Sequence, residues 1–198
     1  MDSSPPDIAI DRMVILGPPA SGKGAQGELL AKRFDLPHVS TGELLRRSIV
    51  NDGDPHGVED TVARGGLVAE DVIEKLMLPE LGERFLLDGF PRSRDQADRL
   101  DRLLEERSWP IEAAVELVLS DEILAARMAL RADQERRTDD RPEVFLRRLE
   151  EYNSDISALR DHYGDVLVRV EAEGEEEEIL DRIVTALFRL RASPDGTG

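Results

Sequence analysis

The sequence predicts an α/β fold, a parallel sheet with helices on both faces, and three observations carry that prediction. Short apolar runs alternate along the chain with longer stretches of helical periodicity, the pattern of repeated strand–helix units. The runs are apolar at consecutive rather than alternate positions, as strands buried on both faces require. The first run, Met13-Val-Ile-Leu16, stops at Gly17 and gives way to a Gly- and Pro-rich turn that opens into a helix.

Taken in order, strands are predicted at 13–16, 37–39, 84–87, 113–119 and 166–170, and helices near 22–33, 41–51, 70–81, 93–107, 121–132, 140–161 and 175–190. Asp140 and Glu143 have the spacing of a capping box, with Pro142 tolerated in the first turn. Glu175 to Glu178 are four consecutive acids, read as favourable charge at a helix N-terminus rather than as a binding motif. In sheets of this kind ligands bind beyond the carboxyl ends of the strands, so Gly17 and Asp88 are expected to face one site.

Composition bounds the function. The 198 residues suit one domain, 40% hydrophobic content supports a core, and the 4% aromatic content makes that core chiefly aliphatic. There are no cysteines, which removes disulfides, thiol catalysis and Cys-based zinc sites. No run has the length of a membrane span, and residues 1–7 lack the features of a signal peptide, so a cytoplasmic protein without membrane contact is expected. A net charge of −17 opposes nonspecific nucleic-acid binding. The acid excess and the preference for Arg over Lys fit either a salt-adapted surface or a biased genome composition.

The turn Gly17-Pro18-Pro19-Ala20-Ser21-Gly22-Lys23-Gly24-Ala25-Gln26 has the spacing and the strand–turn–helix context of a phosphate-binding loop. Such a turn aims backbone N–H groups at an anion from the positive end of a helix, and Lys23 adds a mobile charge. A second stretch, Phe85-Leu-Leu-Asp88-Gly89-Phe-Pro-Arg92, ends a buried strand in an acid. A carboxylate there suits Mg²⁺, a hard ion that keeps most of its waters. Pro91 is a candidate for a cis bond. A third, His38-Val-Ser-Thr41-Gly-Glu-Leu-Leu-Arg46, runs from a strand into a helix. Arg46 and Arg92 together would suit a second phosphate, because guanidinium forks match phosphate oxygens. A fourth is an arginine array, with Arg127 and Arg131 on one helix face, followed by Arg136, Arg137 and Arg148. Two phosphate stations and a cation cluster suggest transfer between two phosphorylated molecules. His38, His56 and His162 lack metal-like spacing and read as structural or exposed.

Together these stretches resemble the adenylate kinases, of the nucleoside monophosphate kinase family, in the family's order over roughly residues 10 to 190. The resemblance implies a three-layer P-loop NTPase fold with a five-stranded parallel sheet and small NMP-binding and lid insertions. One domain would span 8–198, with core segments 8–39, 70–130 and 139–190, an NMP-binding insertion at 40–69, a short lid at 131–138, and flexible ends at 1–7 and 191–198. It implies reversible, Mg²⁺-dependent transfer from ATP to AMP giving two ADP, by a monomer without zinc. Residues 17–26, Arg127, Arg131 and Ala172 would bind ATP. Thr41, Arg46, Leu67, Val68, Gly89, Arg92, Gln96, Arg137 and Arg148 would bind AMP, with Gln96 reading the adenine edge. Lys23, Asp88, Arg92, Arg131, Arg137 and Arg148 would be catalytic, Asp88 reaching Mg²⁺ through water and Arg127 stacking on the donor's adenine.

The chain departs from the family pattern at Ala20, where the loop usually has Gly, at Ala25, where Thr is usual, and at Ala172, where an Asp-Gly turn often lies. None removes a charged participant, so retuned rather than absent activity is expected. Two alternatives stay open: a sister enzyme acting on UMP or CMP, which Gln96 argues against, and a nucleotide-binding regulator with weakened catalysis.

Overall fold

The structure, a computed structural model, describes residues 8–55, 57–63, 68–134 and 142–192. Its centre is an all-parallel five-stranded sheet: β1 (Arg12–Leu16), β2 (His38–Ser40), β3 (Phe85–Asp88), β4 (Ala113–Val118) and β5 (Leu167–Glu171), in the order β2-β3-β1-β4-β5. All five predicted strands are present, shifted by a residue or so at their ends. The helices among the described residues are α1 (Lys23–Phe34), α2 (Thr41–Asp52), α3 (Glu59–Ala63), α4 (Glu70–Met77), α5 (Arg94–Glu105), α6 (Asp121–Gln134), α7 (Pro142–Tyr163) and α8 (Glu176–Ala192).

Strand alternation divides the core into two layers. Val14, Leu16, Phe85, Leu87 and Ala114 point to one face, where Leu45, Ile73, Leu100 and Leu159 from the helices pack. Met13, Ile15, Leu86, Val115 and Leu117 point to the other, beneath Leu30 of α1 and Ile183 and Leu187 of α8. From Met13 to Leu16 and from Phe85 to Leu87, β1 and β3 are therefore apolar on both sides, the property that made them legible.

Some boundaries differ from expectation. The helix predicted over 70–81 ends at Met77 and continues as a 3-10 turn at Leu78–Glu80, where Pro79 cannot donate into an α-helical ladder. Helix α3 was not predicted. Its five residues are too few for periodicity, and it is started by Asp54, whose carboxylate accepts from the N–H groups of Val58 (2.8 Å) and Glu59 (3.1 Å). Helix α6 continues to Gln134, through the first part of the predicted lid at 131–138, and the rest of that segment lies outside the described residues. Helix α7 begins at Pro142 with Glu143 in its first turn; Asp140, the predicted cap, lies outside the described residues. Helix α8 begins with Glu176, Glu177 and Glu178, as the acidic run suggested.

The register places the site. β1 pairs with β3 so that Ile15 lies opposite Asp88, and β2 pairs with β3 so that Ser40 does. The carboxyl ends of three adjacent strands, with the turns that leave them, therefore open on one side of the sheet.

Candidate active site

The turn after β1 is built for close approach to an anion. Gly22, with φ 89°, caps α1, and no acidic side chain lies in that helix's first turn. Gly17 has no room for a side chain, since a Cβ there would come within 2.9 Å of the Ser21 Oγ and 3.2 Å of Leu117. Ala20 takes the left-handed conformation, φ 62°, which the usual glycine would adopt without strain. The Lys23 ammonium donates to the carbonyls of Gly17 (2.6 Å) and Pro18 (2.8 Å), which holds it across the loop.

This loop forms one wall of a cleft of ≈ 750 Å³. Among the described residues five cations line it: Lys23, Arg46, Arg92, Arg127 and Arg148. In a chain of net charge −17 that is a local reversal of sign, suited to polyanions. Asp88 opens onto the same cleft between the loop and Arg92, 7% exposed. A smaller cavity of ≈ 170 Å³ adjoins it, walled by Gly17, Pro19, Lys23, Arg92 and the Arg148 face of α7.

Each cation has a defined setting. Arg92 follows the cis Phe90–Pro91 bond. Its Nε donates to the Gly89 carbonyl (2.8 Å) and its backbone N–H to the Gln96 Oε1 (2.8 Å). Desolvation within the cleft lowers the Arg92 pKa, the neighbouring Arg148 lowers it further, and Asp88 and Glu151 pull it back up. The guanidinium stays charged, in a place where an added anion would relieve repulsion. Arg127, on α6, donates to the carbonyls of Ser21 (3.1 Å) and Ala172 (2.8 Å), tying the phosphate loop to the turn after β5.

Of the other residues expected at the site, Ala20, Ser21, Gly22, Gly24, Ala25, Gln26 and Gly89 line the large cleft, and Gly17 and Pro19 reach the smaller cavity. Pro18 is buried behind the loop. Thr41, Val68, Gln96 and Ala172 are buried and line neither cavity. Thr41 donates to the Asp88 carbonyl (3.2 Å), joining the start of α2 to the end of β3. The Gln96 oxygen is engaged by Arg92, while the N–H of Gln96 donates to the Ser93 side chain (3.3 Å), which caps α5. Ala172 offers its carbonyl to Arg127. Leu67, Arg137 and the Arg131 side chain lie outside the described residues.

The structure adds residues that sequence reasoning left aside. His38, read as structural or exposed, forms part of the cleft wall, with its Nε2 3.8 Å from the Asp88 Oδ2 and against Gly27. Its signal was positional, since it opens a strand whose carboxyl end enters the site. Gly174, Glu175 and Glu176 line the far end of the cleft, and Gln26 donates to the Glu176 carbonyl (2.9 Å). His162 is structural, buried between Asp98 (3.2 Å) and Asp101 (2.8 Å) of α5. His56 lies outside the described residues.

The phosphate loop, Asp88, Arg92 and Arg148 all lie within a stretch that matches one family. The profile described as "Adenylate kinase" matches residues 15–167. The chain belongs to the adenylate kinase family. An adenylate kinase of Corynebacterium glutamicum is 40% identical over 183 residues, covering 89% of this chain and 98% of the relative. One from Xanthomonas euvesicatoria is 41% identical over 187 residues, covering 90% of this chain and all of the relative. Membership makes the chain a phosphotransferase of the P-loop class.

Proposed function

We propose that this chain transfers the terminal phosphoryl group of ATP to AMP, reversibly, giving two ADP. The observation that carries the reading is the convergence of the 17–26 loop, Asp88, Arg92 and Arg148 on one cleft. The loop amides and Lys23 hold the donor's phosphates, and Arg127 sets the donor end by fixing the Ser21 and Ala172 carbonyls. Arg46 and Arg92 hold the acceptor's phosphate. Arg148, with Arg131 and Arg137, surrounds the transferring group. Phosphoryl transfer asks mainly for positioning and charge stabilisation, which an array of held cations supplies.

The residues present suit Mg²⁺. Asp88 is a hard oxygen donor facing the cleft, and among the described residues no cluster of three or more His, Asp or Glu forms a full cage. Such a site fits an ion held through water by Asp88 and by the nucleotides' phosphates. When bound, Mg²⁺ neutralises charge on the donor's outer phosphates.

The 40–69 segment, which contains α2 and α3, acts in this reading as the acceptor-binding insertion, and 131–138 as a short lid. Their closure would exclude water, the competing acceptor. No helix among the described residues is long and apolar enough to cross a membrane, and we place the enzyme in the cytoplasm as a monomer. The test is ATP-dependent turnover of AMP, CMP, UMP and GMP, with Lys23→Met as the control. Turnover of AMP alone, lost in the variant, supports the reading. A preference for CMP or UMP overturns the acceptor assignment.

A further inference from the structure

Glu116 is a carboxylate in the middle of the sheet that the proposed chemistry does not use. It lies on β4, fully buried, on the face covered by α7. Arg169 sits directly across from it on β5 and donates to its Oε2 (3.0 Å). Two further partners come from α7. Arg160 forks onto both oxygens (2.9 and 2.6 Å), and the Tyr152 hydroxyl donates to Oε1 (3.1 Å). Burial and the charge of Glu116 raise the Tyr152 pKa, so the hydroxyl keeps the proton it donates.

The other buried residues that α7 sets against the sheet are aliphatic or aromatic, Ile156, Leu159 and Tyr163. Apolar contact holds a helix against a sheet without fixing its rotation or its position along its own axis, whereas directional bonds fix both. Tyr152 and Arg160, two turns apart, give α7 two such attachments to one carboxylate. Arg148, Glu151, Tyr152, Asp155 and Leu159 fall on one face of the helix, and all five line the smaller cavity beside Arg92. Arg148 is one turn from the Tyr152 attachment.

We infer that Glu116 and Tyr152 are positioning residues for Arg148: the hydroxyl–carboxylate bond sets the rotation of α7 and thereby where the Arg148 guanidinium stands in the cleft. The inference rests on the proposed reading of Arg148 as a cation at the transferring phosphoryl group. Transfer is sensitive to displacements of about 1 Å, which can cost up to about 10²-fold in rate, so a helix that has lost one attachment would slow the reaction without losing its fold.

A double-mutant cycle tests this, using Tyr152→Phe, Arg148→Lys and the pair, with ADP formation from AMP measured in single turnovers so that product release does not enter. Tyr152→Phe is expected to slow transfer about three- to thirtyfold and to change the KM for ATP less than about twofold, since the donor contacts lie at the loop. In the Arg148→Lys background the same change should add nothing, because Tyr152 acts through Arg148. A merely structural tyrosine would lower stability without such dependence on Arg148. If Tyr152→Phe fails to fold, Glu116→Gln takes its place in the cycle. Wild-type transfer in Tyr152→Phe alongside an impaired Arg148→Lys overturns this inference and leaves the proposed function intact. Fully additive losses also overturn it. Wild-type transfer in Arg148→Lys overturns both readings.

Discussion

Arg148, on α7, stands near enough to Arg92, after β3, to help lower its pKa, second only to the desolvation of Arg92 in the cleft. Two guanidiniums are held together although they repel. The arrangement is stabilised when an anion lies between them, so binding energy is directed at the group being transferred.

Replacing either arginine by alanine should therefore cost far more in rate than in fold. About 10²- to 10³-fold in kcat is expected, at or just below the smallest contributions of single arginines to phosphoryl transfer. Lysine should recover only part, because it lacks the planar fork. Steady-state rates with a thermal unfolding control check this; losses under threefold would contradict it.

Ala20 makes a prediction of opposite sign for stability. Its φ of 62° costs about 1–2 kcal/mol for a residue with a Cβ, against about 0.4–1 kcal/mol of extra unfolded-state freedom for glycine. Ala20→Gly should stabilise the chain by about 0.5–1 kcal/mol and raise the Tm by about 1–4 °C. A lower Tm would show that the loop carries no such strain.

Arg127 connects the loop to the turn after β5 by two charged hydrogen bonds, each of a kind worth about 1.5–3 kcal/mol. Arg127→Ala should raise the KM for ATP about tenfold and leave the KM for AMP within about twofold, measured by varying each substrate at saturating levels of the other. Equal rises in both would contradict the assignment of Arg127 to the donor end.

A pH effect follows from α5. The hydrogen bond from Arg94 holds the Asp98 pKa below the usual carboxylate range, with Arg94 and His162 charges adding to it. A depressed pKa means that the unfolded chain takes up the proton more readily. The stabilisation is therefore present above the unfolded-state pKa and is lost as pH falls through the folded-state value. Urea midpoints between pH 7 and 3 should fall less steeply in Asp98→Asn than in the parent; parallel curves would contradict this.

Much of the fold was legible because local signals agreed with the global arrangement. Met13–Leu16 and Phe85–Leu87 are apolar at every position, and the Gly17–Lys23 turn marks both a strand end and a helix start. Helix α3 was illegible because one carboxylate, Asp54, supports it rather than a periodic face. Glu116 carries no signal of its own in the 113–119 strand. Its meaning depends on Arg160 and Arg169, 44 and 53 residues further along the chain, which only the packing of α7 and β5 brings to it. The same holds for Arg127, whose place on a helix face was readable while the two carbonyls it bridges were not. His38 was passed over because spacing speaks to metal ligation and not to which wall a side chain faces.

The most direct measurement is initial-rate phosphorylation of AMP, CMP, UMP and GMP by ATP with Mg²⁺, in the parent and in Lys23→Met. The account predicts rapid ADP formation from AMP alone and its loss in the variant, with both proteins folded. Tight ATP binding without turnover of any of the four would contradict it.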